Sequence, residues 1–246
     1  MGIDNIELMS PAGNYESLSA AIRAGANSVY FGVGKLNMRS RAAANFAIKD
    51  IPKIARLCKK AGVKSYLALN TIMYDEDISD MKELCNAAKD VGINAIIASD
   101  IATLEYGAGQ GISMHASVQN NISNYESVKY YAKFADAIVL ARELDIDHIQ
   151  RISDKIKKDS VCGPSGKELK LEIFIHGALC VAISGLCYMS LAEYNTSANR
   201  GDCYQPCRRS YKVTDLETGA ELIIKSNFVM SPKDLCTIKI LDKIFA

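Results

Sequence analysis

Short apolar and β-branched runs alternate with amphipathic stretches along most of this chain, and that rhythm limits the fold more than any other feature. The runs fall near residues 6–10, 28–32, 64–69, 95–99, 113–118, 137–141 and 171–177. Between them lie YESLSAAIRAG, IKDIPKIARLCKKAG, DISDMKELCNAAKDVG, IATLEYGAGQG, NYESVKYYAKF and DIDHIQRISDKIKK, which read as helices. Strands joined through crossover helices run parallel, and near-continuous apolar runs predict strands covered on both faces. The expected architecture is α/β, a TIM-like (β/α) barrel with seven legible strands against the eight of a closed barrel. A doubly wound open sheet is the alternative. Polar residues at nearly every strand's carboxyl end favour the barrel.

Three segments follow from this pattern. Residues 1–178 form the barrel strands one to seven, and 179–230 form a Cys-rich insertion with a β-hairpin in YKVTDLETGAELIIKSNFVMS. Residues 231–246 open the last barrel helix, capped by Ser231 with Pro232 in its first turn. The barrel is therefore expected to be incomplete at its C-terminal end.

Composition bounds the function. The 246 residues are 49% apolar, enough for a large core, and the net charge of +1 gives no global pull toward nucleic acid or membrane. No stretch approaches the roughly 20 apolar residues of a membrane span. The opening MGIDNIELMSPAGN lacks the basic-then-apolar order of a signal peptide. A cytoplasmic enzyme with no membrane partner is the expectation. In a reducing compartment, clustered cysteines favour metal or redox chemistry over disulfides.

Ligands of parallel α/β folds sit at the carboxyl edge of the strands. That edge is expected to present Asn70, then His115, Ser117 and Gln119, which alternate along one strand and so share a face. Arg39 and Arg142 read as a clamp for a small carboxylate or a phosphate. Asn14 and Asp100 read equally well as helix caps. His148 lies on a charged helix and reads as surface. His176 ends an apolar strand and enters the cysteine block, where a structural hydrogen bond, metal ligation and substrate orientation are all open. His115 and His176 are the candidate catalytic histidines.

The block itself holds Cys180, Cys187, Cys203 and Cys207, spaced C-x6-C, fifteen residues, then C-x3-C. It matches neither the paired C-x2-C knuckles of a zinc ribbon nor a bacterial ferredoxin run. Spacing alone gives a four-thiolate site, zinc or iron–sulfur. Cys58 and Cys85 sit on apolar helix faces and read as packing, as does Cys236 in SPKDLC; Cys162 reads as a loop thiol. Arg200, Arg208 and Arg209 flank the block and would offset an anionic cluster or meet RNA phosphates.

ELMSPAGNYESLSAAIRAGANSVYFGVGKLNMRSRAAANF, HASVQNNISN, VLARELDIDHI and EIFIHGALCVAISGLCYMSLAEYNTSANRGDCYQPCRRSY together resemble the peptidase U32 family, the collagenase-like proteases. The resemblance implies a 4Fe–4S cluster on Cys180, Cys187, Cys203 and Cys207. It also implies hydroxylation chemistry, since relatives act on tRNA wobble uridine with prephenate implicated, on an rRNA cytidine, or on a ubiquinone precursor. The full C-x3-C and its basic flank bring the chain nearest the RNA-modifying branch. tRNA, a carboxylate cosubstrate and a homo- or hetero-oligomer with a related U32 protein are the implied partners. The family name implies a peptidase instead, yet neither a G-x-S-x-G elbow nor an H-E-x-x-H site is present. A zinc-stabilised binding module is the third reading.

Overall fold

The computed structural model describes residues 6–41, 45–222, 230 and 234–245. Seven strands form one sheet: β1 (Met9–Pro11), β2 (Ser28–Gly32), β3 (Lys64–Leu69), β4 (Ala95–Ala98), β5 (Met114–Ala116), β6 (Ala137–Val139) and β7 (Lys170–Glu172). Their spatial order is their chain order and every pairing is parallel. A doubly wound sheet reverses order at a switch point. Strict succession is that of a (β/α) barrel, here a curled, unclosed one.

The helices α1 (Tyr15–Arg23), α2 (Ile51–Ala61), α3 (Ile78–Asp90), α4 (Ile101–Gly109), α5 (Tyr125–Tyr131) and α6 (Ile146–Lys158) fill the crossovers. Their starts are written in short polar residues. Asn14 accepts from Ser17 N at 2.7 Å, Asp100 from Ala102 N at 2.9 Å, Asn124 from Ser127 N at 2.9 Å and Asp145 from His148 N at 2.8 Å. Asn14 and Asp100 are thus caps. His148 follows its cap on an exposed helix face.

Strand alternation sorts the side chains. Phe31, Leu67, Leu69, Ile96, Met114 and Ile138 face outward and are buried under the helices. Cys58 and Cys85 belong to this layer, and burial pushes their thiols up to about 11 and about 12, which keeps them unreactive. Tyr66, Ala95 and Ile97 form a smaller inward cluster with Met9 and Tyr30.

The chain leaves the sheet earlier than the sequence suggests. β7 ends at Glu172, and His176–Gly177 form a separate strand β8, paired antiparallel with β11 (Leu235–Cys236). The apolar run LEIFIHGA reads as one strand, but only its first part finds a parallel neighbour. The barrel therefore ends short of residue 178. Cys236, expected on a buried helix face, lies on β11 and is exposed, because its backbone pairs with β8. Two short helices lie in this part of the chain, α7 (Met189–Tyr194) in the cysteine loop and α8 (Leu241–Phe245) after β11. Ser231 and Pro232, the expected helix start, lie outside the described residues. The hairpin is present as β9 (Val213–Thr214) against β10 (Glu221–Leu222); its continuation through 223–229 lies outside them.

Candidate active site at the barrel mouth

Asn70, Ser117 and Gln119 leave β3 and β5 at their carboxyl ends and meet. Asn70 Nδ2 donates to Gln119 Oε1 at 3.2 Å and to Ser117 Oγ at 3.4 Å, while Asn70 Oδ1 accepts from Met38 N at 3.1 Å. Ser117 Oγ also donates to Gln119 Oε1. A cavity of about 120 Å³ opens beside this network. Ser99 and Asp100 add to its floor, with Met38 and Ile72 at the sides.

Its roof is the cysteine loop, through Gly185, Leu186 and Asn199. Asn199 is the hinge of this arrangement. Its carbonyl oxygen accepts from Ile72 N at 3.1 Å, and its Oδ1 accepts from Cys187 N at 3.0 Å. One residue, through its backbone carbonyl and its side chain, thus joins the barrel rim to the backbone of a quartet cysteine. The sequence marked SANRGDC only as part of a motif; nothing in it singled out Asn199.

The loop is fastened at two further seams. Arg200 donates to Asp77 Oδ2 at 2.5 Å and to the Ile72 carbonyl at 3.2 Å, and its guanidinium lies 3.9 Å from the Tyr74 ring centroid. The Asp77 carboxylate is fully buried, and Lys35 reaches its other oxygen at 3.3 Å. On the other side Arg41 pairs with Asp202 at 3.2 Å and covers the Tyr204 ring at 3.3 Å. Between these, Gly201 sits at φ +91°, pressed on Ser40 and the Asn37 carbonyl. A Cβ there would meet both, and the left-handed backbone adds strain. Gly201→Ala is expected to cost about 2 kcal/mol and lower Tm by roughly 5 °C. An unchanged thermal melt would mean that this seam does not hold the loop.

Cys180, Cys187, Cys203 and Cys207 are all free thiols, Cys180 exposed and the others half-buried. Burial first, then the fields of Cys180, Cys203 and Cys187, push the Cys207 thiol above its ordinary value. Among the described residues no three Cys, His, Asp or Glu side chains stand close enough to grip a metal ion as they are. In kind the donor set fits a soft-metal or iron–sulfur centre, being four unpaired thiols on one loop. Non-glycine residues share the bends that the glycines allow: Ser184, Asn195 and Gln205 all have φ near +50°.

The remaining candidates are dispersed. His115 is buried inside the barrel, its ring 4.7 Å from that of Tyr66. Its Nδ1 lies 2.6 Å from Glu172 Oε1 without the alignment of a hydrogen bond. Tyr66 in turn donates to Glu7, which Lys64 meets at 2.5 Å. Burial raises Glu7, but the hydrogen bonds from Lys64 and Tyr66 win and hold it below its ordinary value. Neither Glu172 nor Glu7 stood out in the sequence, because polar residues inside a barrel interrupt no pattern on the outward face.

Arg39 and Arg142 sit on the loops after β2 and β6, over Tyr30 at 5.2 Å and Phe174 at 5.8 Å, and neither lines the cavity. His176, expected to face the site, is exposed on β8 because the chain has already left the barrel. The basic flank is also corrected. Arg200 is committed to a buried carboxylate, and Arg208 bonds Asp234 at 3.1 Å and the Leu179 carbonyl at 2.9 Å. Cations spent on protein partners have little left for phosphates. Arg209 rests on Tyr194 and stays exposed.

A family model described as peptidase family U32 matches residues 13–246. The chain belongs to the peptidase U32 family. A "Collagenase" of Porphyromonas gingivalis is 52% identical over 99% of the chain and 59% of its own length. "tRNA hydroxylation protein P1" of Bacillus subtilis is 32% identical over 96% of the chain and 55% of its length. A 23S rRNA 5-hydroxycytidine synthase of Escherichia coli is 36% identical over 85% of the chain and 30% of its length. The chain thus spans less than two thirds of these U32 relatives. The solved structure of the U32 peptidase Mk0906 aligns with a TM-score of 0.56 at 10% identity, covering 70% of this chain and 69% of that one. It shares the barrel fold.

Proposed function

We propose that this chain is the barrel and cysteine-loop part of an iron–sulfur enzyme that hydroxylates an RNA base, with tRNA wobble uridine the favoured target. The observation that carries this reading is the shared wall. Asn199 links the Cys187 amide to the barrel rim, and the same loop roofs the cavity. A centre on the four thiols would lie beside whatever the cavity holds. The RNA-modifying U32 relatives support the same direction.

Cys180, Cys187, Cys203 and Cys207 would hold a 4Fe–4S cluster, with zinc as the alternative; the cluster, when bound, supplies electron transfer. Met189 N donates to Cys187 Sγ at 3.4 Å, the kind of bond that tunes such a centre. Asn70 and Gln119 would orient the substrate. Arg39 and Arg142 would hold a carboxylate cosubstrate such as prephenate at the rim. His115, kept against Glu172, is the candidate acid–base group, and exposed Arg209 the remaining phosphate contact of the basic flank.

The 52% identity to a protein named collagenase favours a second reading, a peptidase. Geometry supports it less. Among the described residues no serine or cysteine hydrogen-bonds a histidine, and Ser117 spends its hydroxyl on Gln119. Nucleosides from tRNA of cells lacking the gene, analysed by mass spectrometry, are expected to lose a hydroxylated uridine that the gene restores. An unchanged nucleoside set would overturn the tRNA assignment.

A further inference from the structure

We propose that the tip of the β9–β10 hairpin docks into the groove at the amino ends of β6 and β7 on a second copy of this chain, with Leu216 as its anchor. The inference stands apart from the RNA reading and concerns a face that reading does not use.

The hairpin supplies the first observation. Leu216 is 97% exposed, whereas the next most exposed large apolar side chains among the described residues, Tyr188 and Ile238, are 72% and 70% exposed. Its turn is locked. Asp215 Oδ1 accepts from Glu217 N and Thr218 N, both at 2.9 Å, the Asp215 carbonyl accepts from Gly219 N at 2.8 Å, and Asp215 N donates to the Ala220 carbonyl at 2.9 Å. A turn so tied holds its leucine in water with little freedom left to lose on docking. Glu217 follows the leucine, and neither it nor Asp215 has a cation partner among the described residues. Lys212, at the hairpin's base, is spent on Glu221 at 2.5 Å. The knob is therefore apolar at its point and anionic around it.

The groove supplies the second. About 530 Å³ lie open between the end of α5 and the loop that leads into β7. Tyr130, Ala132, Val161 and Cys162 give it an apolar floor, and Lys129 and Lys133 stand in its wall. Glu126 neutralises Lys129 at 3.0 Å, but Lys133 has no carboxylate partner among the described residues. The stretch KIKKDSVCGPSGKELK, which carries part of the wall, adds five lysines against one Asp and one Glu. An apolar floor in cationic surroundings complements an apolar point ringed by carboxylates. A polyanion alone would use the lysines and not the floor.

Both halves lie on every copy. In a two-fold pair each hairpin enters the other's groove, so the contact is made twice and the assembly closes. The groove lies at the amino ends of the strands, and docking there leaves the cavity at their carboxyl ends open.

The test is sedimentation of the full chain and its variants under anaerobic conditions. The unaltered chain is expected to show a concentration-dependent monomer–dimer equilibrium. Leu216→Ser should weaken it by about a hundredfold, since a buried leucine is lost at both contacts, and Lys133→Glu should weaken it in the same direction. Both residues are exposed, so the thermal melts of the variants should match that of the unaltered chain. A one-to-one mixture of the two variants should associate more tightly than either alone, because one of its two contacts joins an intact knob to an intact groove. A chain that stays monomeric at every concentration, a dimer indifferent to both substitutions, or a mixture no tighter than its parts would each overturn the proposal. So would a monomer that binds polyuridylate through Lys133, which would give the groove to RNA.

Discussion

Cys207→Ala is expected to strip the protein of iron. After anaerobic reconstitution with iron and sulfide, the unaltered chain should take up about four of each and show a broad band near roughly 400 nm. The variant should retain close to none, because it removes one of the four proposed ligands. The cysteine loop has little else to order it internally. Past Leu169, Ala198 and Pro206 are the only buried apolar side chains among the described residues, while Ile183, Leu186 and Tyr188 are 60%, 56% and 72% exposed. A segment so poor in core gains its order from crosslinks, whether metal–thiolate bonds or the ion pairs at its seams. Cys162→Ala, which removes an exposed thiol away from the quartet, should leave iron content unchanged. One zinc and no iron would favour the binding-module reading. A chain that holds no metal, or a Cys207→Ala variant with full iron, would sink the cluster.

Arg200→Ala should be the most damaging single change to the seam, at about 3 kcal/mol, because it leaves the buried Asp77 carboxylate with only the Tyr74 amide, at 3.0 Å, and Lys35. Of these only Lys35 carries a charge, and it is 62% exposed and offsets little. The Arg200 hydrogen bond, acting against burial, holds Asp77 down to about 2 from an ordinary 3.8. The folded value is the depressed one. The contribution, on the order of 2 kcal/mol, is therefore complete above about pH 4 and lost as pH falls through about 2. Denaturant unfolding near pH 7 and pH 3 should show the gap between the two proteins narrowing in acid. Arg200→Lys should recover only part of the loss, since an ammonium cannot bond Asp77 and Ile72 while lying flat on Tyr74. Equal stability of Arg200→Ala and the unaltered chain at neutral pH would refute the strut.

Helices and strands of the barrel were legible because each carries its own pattern. Ile51, Ile54 and Cys58 repeat at helical spacing, and Asn14, Asp100, Asn124 and Asp145 announce helix starts with their own side chains. His176 and Cys236 were misjudged for one shared reason. Whether an extended run joins a sheet depends on which partner backbone is beside it, and the run LEIFIHGA looks the same whether it ends in the barrel or in β8. The basic flank misled similarly, since an arginine reads identically in sequence whether it meets phosphate or Asp77.

Local chemistry, written in consecutive residues, determined the element order, the caps, the outward-facing core and the four cysteines as a group. Pairings distant in sequence were decided only by the folded chain: Arg200 with Asp77, His115 with Glu172, and Asn199 bridging Cys187 to Ile72. The physical reason is that burial and partnership, not residue type, set what a charged or amide side chain does. Both arise when the strands curl into the barrel and the cysteine loop folds back over their ends.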